Sequence, residues 1–195
     1  MMETLLVVGG CRSGKSAAAM RWALSRPGPR AYIATARPPV GIGSPDSSEE
    51  QWDDPEMHAR IARHQAERGP DWHTLLACED TRGPRLAAED ALRQAAAEGR
   101  VAVFDSVGMW LAGLLEKDDA FVLDRVRSFA RCLEQAPLPT VLVSEEVGMG
   151  LVPTTAMGRR FRDLQGEANQ ILAAACRNVA FCACGLPLAL KGRPE

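Results

Sequence analysis

The run Gly9-Gly10-Cys11-Arg12-Ser13-Gly14-Lys15-Ser16 constrains this chain more than any other stretch. It satisfies G-x-x-x-x-G-K-[ST] at every fixed position. Before it stands an apolar run, Leu5-Leu6-Val7-Val8, and after it a helix-forming one, Ala17-Ala18-Ala19-Met20-Arg21-Trp22-Ala23-Leu24. A strand that breaks into glycines and then enters a helix aims its backbone N–H groups at one point, and the helix N-terminus adds partial positive charge there. The spacing therefore predicts a phosphate-binding loop in which Gly9, Gly10, Cys11, Arg12, Ser13 and Gly14 surround the anion. Lys15 then reaches the β- and γ-phosphates, and the Ser16 hydroxyl is a ligand for Mg²⁺.

Strand and helix patterns alternate along the remainder. Strands are expected over 30–35, 71–76, 101–105 and 140–145, with two short closing strands over 178–182 and 187–190. Helices are expected over 85–98, 120–135 and 157–177, and another from Asp53 or Asp54 to Arg68 after a turn-rich segment over 38–48. This order predicts an α/β fold, a P-loop NTPase with a mostly parallel sheet and helices on both faces. With 195 residues there is room for one well-buried domain, expected to span 1–195.

The net charge of -2, without a long basic block, argues against nucleic acid as a partner. No apolar run approaches the roughly 20 residues that span a bilayer, so a soluble cytoplasmic protein is expected. The six cysteines lack the spacing of a zinc site or disulfide framework. Cys182 and Cys184 stand at strand spacing, which predicts both on one face as core packing.

Asp105 closes the apolar run Val101-Ala102-Val103-Phe104. Beside a phosphate loop this is where a second oxygen ligand for Mg²⁺ belongs; the competing reading makes Asp105 the cap of the next helix. His64 recurs with Met57, Ile61 and Arg68 at spacings of four, three and four, on the stripe that faces the protein. A histidine so placed is ordinarily a packing residue. These residues alone point to a nucleotide-binding enzyme of the small-molecule kinase type. A kinase without a covalent step and a nucleotide-dependent binding protein or switch are the other readings.

Further motifs follow in order: Tyr32-Ile33-Ala34-Thr35-Ala36, then Arg60-Ile61-Ala62-Arg63-His64 with Arg68, Trp72 and Thr74, then Glu146-Val147-Gly148-Met149-Gly150-Leu151-Val152-Pro153. Gly158-Arg159-Arg160-Phe161-Arg162-Asp163, Asn169-Gln170 and Gly185-Leu186-Pro187 complete the set. Together they resemble the bifunctional adenosylcobinamide kinase/adenosylcobinamide-phosphate guanylyltransferase family of cobalamin biosynthesis, over nearly the whole chain.

The resemblance implies a RecA-like domain, a homotrimer, and two reactions with GTP and/or ATP as co-substrates. A corrinoid, adenosylcobinamide, is phosphorylated on its aminopropanol hydroxyl, and GMP is then transferred from GTP to the resulting phosphate. It also implies that His64 is the nucleophile that accepts GMP, which reverses the packing reading. A neutral imidazole, with an ordinary pKa of about 6.5, can attack the α-phosphorus and split one displacement into two. Lys15 joins His64 as a catalytic residue, and Ala34, Thr35, Ala36, Gln65, Ala66, Glu67, Arg68 and Asp105 join the nucleotide site, with Ser16 and Asp105 on the metal. The chain departs from the family pattern at Leu76, over Ser106-Val107-Gly108, and at Glu145.

Overall fold

The computed structural model describes residues 3–36, 68–69, 71–77 and 86–193. They contain one seven-stranded sheet, formed by β1 (Thr4–Gly9), β2 (Arg30–Ala34), β3 (Trp72–Leu76), β4 (Val101–Asp105), β5 (Thr140–Glu145), β6 (Asn178–Ala183) and β7 (Leu186–Lys191). The strand order is β3-β2-β4-β5-β1-β6-β7. Every pairing is parallel except β6 with β7, which form an antiparallel hairpin. One strand, β5, is interposed between the phosphate-loop strand β1 and the acid-bearing strand β4, the RecA-like arrangement that was expected.

The helices among the described residues are α1 (Lys15–Leu24), α2 (Ala88–Ala97), α3 (Val107–Ala112), α4 (Asp119–Gln135) and α5 (Ala156–Ala175). Alternation along β1 sends Leu5 and Val7 to one face of the sheet and Leu6 and Val8 to the other. On the first face they pack with Ala19, Trp22 and Ala23 of α1; on the second with residues of α2 to α5, among them Leu92, Trp110, Phe129 and Leu172. Helices thus cover both faces.

An aromatic group fixes the end of β4. Phe104 meets Trp110 of α3 edge-on at 5.9 Å and Phe129 of α4 at 4.8 Å, all three buried. Each such side chain contributes about 1.5–3 kcal/mol by burial, so the position of Asp105, the next residue, is set from beneath.

Several expectations are corrected. The competing reading of Asp105 as a helix cap fails, because Ser106 caps α3: its Oγ accepts from Met109 N at 3.4 Å, which leaves the Asp105 carboxylate for other work. Phe121 is apolar yet exposed, because it stands in the first turn of α4 beside the helix cap Asp118. Cys182 is buried as expected, whereas Cys184 is exposed with φ +53°, since the chain turns there into β7. The expected helix ending at Arg68, and the segment over 38–48, lie outside the described residues apart from Arg68 itself.

Candidate active site

The site stands at the C-terminal edge of the parallel strands, where β1 ends at Gly9 and β5 ends opposite it at Glu145. Gly9 has no room for a side chain: a Cβ there would lie 2.5 Å from the Cys182 carbonyl oxygen. Gly14 has φ +90°, a left-handed conformation that glycine adopts without strain, and its Cβ would come within 2.7 Å of Gly185 Cα. Gly185 also donates from its N–H to the Ser13 carbonyl at 2.8 Å. The turn between β6 and β7 therefore buttresses the phosphate loop from outside.

Lys15 begins α1 and is only 6% exposed. Its Nζ donates to the Gly10 carbonyl at 3.2 Å and lies 4.0 Å from Glu145 Oε1. The other carboxylate oxygen of Glu145 accepts from Gly108 N in α3 at 2.8 Å. A buried polar group behind β5 holds this strand end: Gln165 Nε2 donates to Ser144 Oγ at 2.9 Å, and Asn169 Nδ2 donates to the Glu145 carbonyl at 3.0 Å.

A second constellation forms around Asp105. The Tyr32 hydroxyl donates to Asp105 Oδ2 at 2.9 Å, and the Arg68 guanidinium lies 3.6 Å from the centroid of the Tyr32 ring. Burial first, and the Asp105 carboxylate second, push the Tyr32 phenol above its ordinary pKa, while Arg68 opposes them. Thr35, just past β2, has its hydroxyl committed: it donates to the Ser106 carbonyl and accepts from Ser106 N, both at 2.7 Å. Ala34 and Ala36 flank it, half-buried.

Of the residues singled out in the sequence, Gly9 to Ser16 come together as one loop, and Arg68 and Asp105 meet through Tyr32. His64, Gln65, Ala66 and Glu67 lie outside the described residues. Glu145 and Tyr32 were not read as site residues. Glu145 carried the same signal as Asp105, a carboxylate closing an apolar strand; Tyr32 is a polar-tipped aromatic inside a buried strand, a type that needs a partner.

Among the described residues no set of three or more His, Cys, Asp or Glu could hold a metal unaided. Ser16, Asp105 and Glu145 nevertheless offer hard oxygen atoms. This suits Mg²⁺, which binds through one or two protein oxygens together with substrate phosphates and water.

Residues 5–190 match the family model described as cobinamide kinase/cobinamide phosphate guanyltransferase. The chain belongs to that family. Among curated relatives, the bifunctional adenosylcobalamin biosynthesis protein CobP of Pseudomonas aeruginosa is 39% identical over 190 residues, covering 97% of this chain and 98% of its own. CobU of Salmonella typhimurium, which carries the same bifunctional description, is 33% identical, with 96% and 99% covered. A solved KaiC-like protein of Pyrococcus horikoshii covers 92% of the chain and 70% of its own at 15% identity, with a TM-score of 0.48. The span shared with the cobinamide kinase/guanyltransferase family runs from β1 into β7, so it includes the phosphate loop, both carboxylate-bearing strand ends and the buttressing hairpin. No helix among the described residues is long and apolar enough to cross a membrane.

Proposed function

We propose that this chain phosphorylates adenosylcobinamide and then transfers GMP from GTP to adenosylcobinamide phosphate, with His64 carrying the GMP between the two displacements. The observation that carries the reading is the family match over residues 5–190, on a fold whose phosphate loop is fully formed. In the first reaction the acceptor hydroxyl oxygen bonds to the γ-phosphorus of GTP or ATP and the nucleoside diphosphate leaves. In the second the imidazole of His64 bonds to the α-phosphorus and pyrophosphate leaves; an oxygen of the corrinoid phosphate then displaces the imidazole.

Lys15 and the loop amides carry the phosphate charge in both reactions, since they are fixed in advance and need no reorganisation. Ser16 and Asp105 supply oxygens for Mg²⁺, which when bound screens the phosphates. Ala34, Thr35 and Ala36 are assigned to nucleotide binding, together with Gln65, Ala66, Glu67 and Arg68. The stacking of Arg68 on Tyr32, whose hydroxyl holds Asp105, supports this grouping by joining the guanine side of the site to its acidic residue. A homotrimer in the cytoplasm, without nucleic acid, belongs to the same proposal, and the exposed Leu186, Leu188 and Leu190 of β7 offer apolar surface for it.

The test is product analysis. Protein, adenosylcobinamide, GTP and Mg²⁺ should yield adenosylcobinamide phosphate first, then adenosylcobinamide-GDP with pyrophosphate, and Lys15→Ala should lower both rates by at least about 100-fold. Formation of neither corrinoid product by the wild type would overturn the proposal.

A further inference from the structure

We infer that Glu145 makes nucleotide binding conditional on a divalent cation: it offsets the charge of Lys15 and repels phosphates that arrive without one. This rests on the reading of the loop as a nucleotide site and goes beyond it, since that reading gives Glu145 no part in coupling cation and nucleotide binding.

Register places the two acidic residues differently. Glu145 pairs directly with Gly9, the first residue of the phosphate loop, while Asp105 pairs with Val143 and therefore stands level with Val7. From Gly9, Asp105 is two strands across and two residues back, about 10 Å across the sheet and about 7 Å along it. Glu145 is one strand across and at the same level. Asp105 is also engaged by the Tyr32 hydroxyl, whereas the Oε1 of Glu145 faces the ammonium group that receives the phosphates.

The carboxylate is held in that place. Its Oε2 is fixed by Gly108 N, and a Cβ at position 108 would lie 2.4 Å from the same oxygen and 2.9 Å from the carboxyl carbon. Glycine at 108 is thus what admits the carboxylate between α3 and the loop. With 24% of its side chain exposed, Glu145 is open to whatever occupies the loop. Phosphates drawn to Lys15 therefore meet a fixed negative charge within a few ångströms. A divalent cation, which hard oxygen donors such as this carboxylate and the phosphates would hold, would relieve the repulsion.

The experiment is equilibrium GTP binding by calorimetry to wild type, Glu145→Gln and Glu145→Asp, each with excess Mg²⁺ and with EDTA. Melting curves of the three proteins establish that each is folded. Removing one negative charge beside the phosphates should tighten binding in EDTA by about tenfold or more and change binding in Mg²⁺ by less than about threefold. The advantage conferred by Mg²⁺ then collapses in Glu145→Gln and persists in Glu145→Asp. Equal tightening under both conditions would reduce Glu145 to a simple competitor for Lys15, and equal weakening would make it structural; either overturns the inference. Absence of GTP binding by the wild type in Mg²⁺ would instead overturn the nucleotide-site reading, and the inference with it.

Discussion

The Tyr32 hydroxyl donates to Asp105 Oδ2 at 2.9 Å, joining the middle of β2 to the last residue of β4. Because the acceptor is a carboxylate and the phenol is buried, Tyr32→Phe should lower stability by about 1.5–3 kcal/mol near neutral pH. The sign of the pH dependence follows from the raised phenol pKa. Above about pH 10 the unfolded chain loses this proton while the folded one keeps it, so the stability it contributes is complete below that pH and is lost above it. Urea titrations of both proteins from pH 8 to 11 should show the gap between them narrowing past pH 10. A gap that widens would contradict the assignment.

Thr35 commits one hydroxyl to two backbone groups of Ser106. Thr35→Val keeps the shape and leaves the buried Ser106 N–H unpaired, at about 1–3 kcal/mol, while the Ser106 carbonyl keeps the Trp110 N–H at 3.1 Å. The urea midpoint should fall by an amount corresponding to about 1–3 kcal/mol, with the slope unchanged. A loss below about 0.5 kcal/mol would show that Ser106 finds other partners.

Gly108 and Glu145 should behave as one unit. Gly108→Ala collides with the Glu145 carboxylate, so overpacking should cost about 1–3 kcal/mol in the wild type. In a Glu145→Ala background the colliding atoms are gone, and the same change should cost at least about 1 kcal/mol less. Thermal or urea unfolding of the four proteins in this cycle measures the difference; identical costs in the two backgrounds would contradict the coupling.

The fold was legible where the chain obeys local rules. The phosphate loop, the apolar strands over 101–105 and 140–145 and the amphipathic faces of α4 and α5 all announce themselves, because burial dictates their periodicity. What could not be read was sheet order. Residues 105 and 145 end similar strands, and only the pairing of β5 between β1 and β4 shows that Glu145, and not Asp105, is level with Gly9. The Tyr32–Asp105 bond spans 73 residues of sequence and the Gly185–Ser13 bond more than twice as many; such pairings are properties of topology, invisible to spacing. Cys184 failed for a local reason: alternation was extended one residue past the strand, into a turn whose positive φ no apolar period reveals.

The covalent role of His64 is the central claim, and it can be tested without a corrinoid. Protein is incubated with Mg²⁺ and GTP labelled at the α-phosphate, denatured, and weighed intact, with His64→Ala alongside. The account predicts one GMP per chain in the wild type, stable to alkali, labile to acid, and absent from His64→Ala. A wild type that binds GTP and acquires no GMP, or an adduct that persists in His64→Ala, would contradict it.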